Sequence, residues 1–132
     1  MNIAYLNNLP EVENIYDVDL DHDEKVVFTA KLTTFGTEKD EMLGNDSRFT
    51  LTNKRMIANN GVGVWTVDVA EDVISCERVD TKFLFKKLTY FSVDLNTKIV
   101  FEDGFAELTG FHFYFNGKDT KMFDEIINHS LN

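Results

Sequence analysis

The groups able to do chemistry in this 132-residue chain are few and poorly assembled for it. His22, His112 and His129 fall far apart, and no His-x-His, His-x-x-x-His or Cys-His spacing gathers them into a metal set. Cys76 stands alone in the apolar run Val73–Val79, where a thiol reads as a small core side chain rather than a nucleophile. A single cysteine also excludes an internal disulfide and agrees with a reducing cytosol. Asp17, Asp19 and Asp21 alternate as at the start of a calcium-binding loop. The sixth position of that loop is His22 instead of Gly, and the twelfth is Phe28 instead of a bidentate Glu. The stretch therefore reads as a solvated acidic connector. Glu102, Asp103 and Glu107 flank a hairpin signal, where carboxylates are ordinarily just hydrated. No nucleophile elbow, phosphate-binding loop or dinucleotide fingerprint occurs. The expectation is a chain that is not an enzyme and takes no cofactor and no metal.

One local concentration of charge stands out against the background. The net charge is −10, which disfavours nucleic acid and anionic membrane, since both reward clustered Lys and Arg. Within it Lys82, Lys86 and Lys87 lie together, with Arg78 close by in sequence. These four residues form the candidate binding surface, to be weighed against the plainer reading of a hydrated hairpin tip.

The elements that must position these groups are mostly strands. Hydrophobic residues make up 43% of the chain, twelve residues are Phe and one is Pro, a balance that favours a packed β-rich body over disorder. The length suits one core. Residues 1–24 form an expected N-terminal extension packed on that body. Leu6, Leu9, Val12, Ile15 and Tyr16 recur there at three- or four-residue spacing, which suggests a short helix or turn. Residues 25–132 are expected to make a single domain.

From Lys25 onward Val26, Phe28, Ala30 and Leu32 share one face of a strand. Two further short runs, Phe49–Thr52 and Arg55–Ala58, flank Asn53-Lys54, a hairpin loop in which Asn tolerates the left-handed backbone. Asn59-Asn60-Gly61 signals another turn before Val62–Val69. Leu88–Leu95 reads as a strand after the Lys82–Lys87 hairpin, and Asn96-Thr97 as a turn into Lys98–Glu102. Asp103-Gly104 carries the strongest short-range hairpin signal. Phe111, Phe113 and Phe115 then share one strand face, with Gly110 suited to a bulge. Met122, Phe123, Ile126, Ile127 and Leu131 form an apolar stripe at helical spacing over Asp119–Leu131, with Asp119 or Thr120 placed to cap it. A helix carrying that stripe must dock.

The segment Leu51-Thr52-Asn53-Lys54-Arg55-Met56-Ile57 resembles the L-T-x-x-R hairpin, followed by two apolar residues, of bacterial pleckstrin-homology-like and GRAM-like domains. The resemblance spans roughly Asp23 to Leu131. It implies a partly open barrel of about seven antiparallel strands in two near-orthogonal sheets, closed at one end by a C-terminal α-helix. The order of strands followed by one helix points the same way. The intracellular fatty-acid-binding barrel, of similar length, needs ten strands, an early helical pair and no terminal helix, which does not fit. In that motif Thr52 is expected to close a strand and Arg55 to pair with a carboxylate such as Asp72.

The resemblance implies a cytoplasmic interaction module that binds protein or itself. The alternatives are a lipid-binding module and a small-molecule-binding barrel. Lipid-binding relatives grip inositol phosphates with bases in the loop after the first strand. Here that loop, Gly36–Asp46, offers Lys39 against Glu38, Asp40, Glu41 and Asp46, so binding to phosphoinositides or membrane is not expected.

Overall fold

The computed structural model of the chain describes residues 1–37, 42–44, 47–59, 64–100 and 107–130. It contains α1 (Ile3–Asn8), β1 (Val26–Thr37), β2 (Met42–Gly44), β3 (Ser47–Thr52), β4 (Arg55–Asn59), β5 (Val64–Asp68), β6 (Val73–Phe83), β7 (Lys86–Val100), β8 (Glu107–Phe115) and α2 (Gly117–Ser130). Seven strands run antiparallel in one hydrogen-bonded order, β5-β4-β3-β1-β8-β7-β6, and β2 pairs with β1 off that path. The end strands β5 and β6 do not pair with each other, so the sheet stays open.

Strand β1 is the hinge of this order. Its first half, Val26 to Leu32, pairs with β3, and its second half, Leu32 to Thr37, pairs with β8. Both registers slip once, at Val26/Phe28 and at Leu32/Thr34. Such irregularities bend a strand and strengthen its twist. One strand can thereby serve two halves of the sheet while Val26, Phe28, Ala30 and Leu32 all stay buried.

The core is a phenylalanine cluster closed by α2. Phe123 projects from the helix against Phe28, Phe49, Phe91 and Phe115, with ring centroids 5.6, 5.7, 4.7 and 5.1 Å away. The pairs with Phe49, Phe91 and Phe115 are edge-to-face, a geometry that adds to plain burial. Phe123, Ile126 and Ile127 are buried. At ~1.5–3 kcal/mol per side chain these three contribute roughly 5–9 kcal/mol before entropy. Met122, expected in the same stripe, is 48% exposed. It sits one position ahead of Phe123, which turns it off the helix face that meets the sheet. Asn116, rather than Asp119 or Thr120, caps α2: its Oδ1 accepts from the Asp119 amide at 3.1 Å.

Four local expectations change. The helix near the N-terminus ends at Asn8 because Pro10 follows, and Leu9 takes the extended backbone (ψ 147°) that a residue before proline prefers. No turn forms at Asn96-Thr97: β7 runs on to Val100, and the extra residues are absorbed in a register shift opposite Gly110 and Leu108. Asn53-Lys54 does form a two-residue loop, with Leu51 facing Met56. Neither residue of that loop has positive φ, however. The fourth is the partner of Arg55, which is Glu24 and not Asp72. The Asp103-Gly104 turn and most of the Gly36–Asp46 loop lie outside the described residues.

Candidate functional site

Two hairpin ends and one groove gather the side chains of interest. The first end is the β3–β4 loop. Thr52 Oγ1 accepts from the amides of Lys54 and Arg55 at 3.0 and 2.8 Å and donates to Glu24 Oε2 at 2.6 Å. Arg55 donates to the same carboxylate from Nε at 2.8 Å and from Nη2 at 2.7 Å. Asp21 adds a backbone amide at 3.1 Å, and the Glu24 side chain has no exposure. Burial raises the Glu24 pKa, but hydrogen bonds from Arg55, Thr52 and the Asp21 amide outweigh it and hold the group below its usual range.

Thr52 and Arg55 thus grip one buried carboxylate. The expected partner Asp72 does a different job: its Oδ2 accepts from the Asp68 amide. Arg55 instead reaches back to the segment before β1, where its Nη2 also bonds the Asp19 carbonyl at 2.6 Å.

Asn53 completes the clasp. Its Oδ1 accepts from the Lys25 amide at 2.9 Å, and its Nδ2 donates to Asn7 Oδ1 at 2.7 Å. Lys25 Nζ in turn caps the carbonyls of Asn7 and Leu9 at 2.7 and 2.6 Å. Asn is required at position 53 for these bonds, not for a left-handed backbone. All of these groups have partners, and the arrangement is structural.

The second end is the β6–β7 loop, and it carries the candidate basic residues. Lys82 pairs across with Lys87, and Phe83 with Lys86, so Leu84 and Phe85 alone make the turn. Both have positive φ, 49° and 68°. Leu84 is 80% exposed and Phe85 wholly so. Lys82, Lys86 and Lys87 are exposed and make no ion pair among the described residues. Arg78 is set apart from them in function. Its Nη1 meets Asp124 of α2 at 3.0 Å and its Nε meets Asp80 at 3.1 Å. The hydrogen bonds it donates to Asp124 and Asp80 hold its guanidinium further towards the charged form. Arg78 therefore pins α2 to the sheet, while the three lysines remain a basic collar around an apolar tip. Sequence reasoning found the lysines. It missed Leu84 and Phe85, because neither is a turn-forming residue.

The groove lies between β6 and α2. It has a volume of about 480 Å³ and is lined by Ile74, Ser75, Cys76, Glu77 and Arg78 from the strand and Ile127 and Asn128 from the helix. Strand β6 ends the sheet order, so one of its long sides is unpaired by any described strand. Cys76 is buried there and its thiol is pushed well above the usual range, chiefly by burial, which leaves it unreactive as a nucleophile. Ile74 is 62% exposed at the groove mouth.

Other candidate groups stay dispersed. His112 lies against the Tyr90 ring at 4.6 Å, and His129 stacks on Tyr5 at 5.2 Å. No group of three metal-ligating side chains occurs among the described residues. Glu102 and Asp103 lie outside them. No described helix is long and apolar enough to cross a membrane. No protein-family model, curated protein or solved structure matches this chain significantly.

Proposed function

We propose that this chain is a non-enzymatic interaction module of pleckstrin-homology-like type that receives an extended peptide along the free side of β6. The observation that carries the reading is the juxtaposition of an eleven-residue end strand, one side of which no described strand pairs, with a groove walled by α2. An exposed strand side offers a row of main-chain donors and acceptors to an incoming strand. Ile74 and Ile127 supply apolar contact, and Glu77 and Arg78 supply charge at the rim. The likeness to pleckstrin-homology-like barrels rests on three features. These are the meandering strand order, a first strand β1 that pairs with both β3 and the last strand β8, and the closing helix. In this chain Thr52 and Arg55 of the β3–β4 hairpin grip Glu24 together. We place the module in the cytoplasm, in keeping with its single thiol.

Panning a random peptide library on the immobilised domain tests the reading. Enriched peptides should shift the amide resonances of Ile74–Arg78, Ile127 and Asn128 on titration. Ile74→Asp should weaken them at least tenfold while the fold is kept. Failure to enrich any sequence, or shifts confined to other elements, would remove the proposal.

A further inference from the structure

The β6–β7 tip holds three features that are each unfavourable in an isolated molecule. Leu84 and Phe85 sit at positive φ, a region that bulky side chains resist. Phe85 is wholly exposed and Leu84 nearly so. Lys82 and Lys87 are directly opposed across the ribbon, an arrangement that like charges disfavour. Among the described residues Lys82, Lys86 and Lys87 make no ion pair, although Asp80 attracts Lys87, and all three features would be relieved by one kind of contact. That contact must be apolar at its centre and acidic at its rim.

The chain itself presents such a face. Between Pro10 and Lys25 there is no Lys or Arg. Glu11, Glu13, Asp19 and Asp21 are exposed there, and so are Val12, Ile15 and Leu20, at 40%, 55% and 36%. The segment is irregular but firmly tethered. The Val12 amide bonds the Val26 carbonyl at 2.9 Å, and Asn14 brackets Val18 through both its amide and its carbonyl. It therefore offers a fixed surface.

The tip does not rest on its own copy of this face, since Leu84 and Phe85 stay exposed. The segment is tied to Arg55, Arg55 pairs with Asp68, and the chain turns from there into Val73. The tip lies ten residues further along β6 from Val73, roughly 33 Å away at about 3.3 Å per residue.

We infer that the Leu84-Phe85 tip, with its collar of Lys82, Lys86 and Lys87, docks onto the acidic, apolar 11–21 segment of a second copy of this chain. The occupant is chosen by charge complementarity: a basic tip on a molecule of net charge −10 finds its complement on that same molecule. Because the two surfaces differ, each tip-to-segment contact leaves one free tip and one free segment, and a head-to-tail contact of this kind can grow into rings or open chains. It uses neither the groove beside α2 nor a peptide in it, so it stands or falls separately from the function proposed above.

Sedimentation velocity on the full chain over a wide concentration range tests this. The weight-average mass should rise with concentration at low ionic strength and fall back in high salt, where screening is nearly complete. Phe85→Asp alone, and Glu11→Lys/Glu13→Lys/Asp19→Lys alone, should each stay monomeric with unchanged circular dichroism. Mixed in equal amounts they should form a one-to-one dimer that grows no further, since each restores one surface that the other lost. A wild type that remains monomeric throughout, or single variants that still assemble, would overturn the inference. So would Phe85-dependent sedimentation of the monomer with phosphatidylserine vesicles, which would assign the tip to a bilayer instead.

Discussion

The β3–β4 and β6–β7 hairpins solve the same geometric problem in opposite ways. Each reverses the chain with two residues. In the first, Asn53 and Lys54 keep negative φ, and side chains from Thr52, Asn53 and Arg55 point back into the molecule to hold Lys25 and Glu24. In the second, Leu84 and Phe85 take positive φ and point away from everything. The first loop spends its chemistry on the fold, and the second leaves it available to something outside. A turn that stabilises its own protein and a turn that costs stability are therefore distinguishable by which way their side chains face.

The largest expected effect breaks the inward-facing loop. Arg55→Met leaves the Glu24 carboxylate buried with one fewer cationic partner and should destabilise by about 3 kcal/mol at pH 7. Its pH dependence identifies the cause. Glu24 is held below its usual pKa of 4.5 in the folded chain. Its contribution is therefore present above that value and lost as pH falls through the folded pKa. In the variant the burial penalty dominates, the folded pKa rises, and protonation relieves the penalty. The stability gap from wild type should therefore narrow between pH 7 and pH 4 in urea unfolding. A gap that is constant with pH would point to lost packing of the Arg55 stem instead.

A smaller loss should follow Asn53→Ala. The substitution orphans the Lys25 amide and the Asn7 carboxamide, at about 2 kcal/mol. Asn53→Asp keeps the acceptor for Lys25 and should recover part of that, as thermal melts would show. Equal losses for the two would mean that the Asn7 contact carries the effect.

The opposite sign is expected at the other hairpin. Leu84→Asn with Phe85→Gly places residues tolerant of positive φ at both turn positions and should stabilise by about 1–2 kcal/mol. An unchanged or lowered denaturation midpoint would show that the two side chains support the fold after all, and the contrast between the loops would fail.

The two loops also differ in how legible they were in sequence. Asn53-Lys54 was locatable because alternating apolar runs bracket a polar pair. The reason for the asparagine was not, since Lys25 and Asn7 are 28 and 46 residues away. Arg55 needed a carboxylate, but Glu24 sits 31 residues upstream in a stretch that reads as hydrated connector. Periodicity says nothing about which end of a sheet such a stretch folds over. The Leu84-Phe85 turn was hidden for the converse reason: its residues look like strand, and only the pairing of Phe83 with Lys86 reveals the reversal. Alternation carried over at Phe111 and Phe113, and the α2 stripe at Phe123, Ile126 and Ile127, because these buried residues follow rules of period alone; Met122 is exposed and Leu131 lies outside the described residues.

Cys76 has a consequence of a different kind. It is the chain's single cysteine, and it is buried where the open side of the sheet meets α2. A thiol reagent can reach it only when that seam parts. The labelling rate under native conditions, divided by the rate for an unfolded chain, therefore clocks how often the helix lifts from the strand. Anything that seats itself along the seam should slow that clock, with no label added to the protein beforehand.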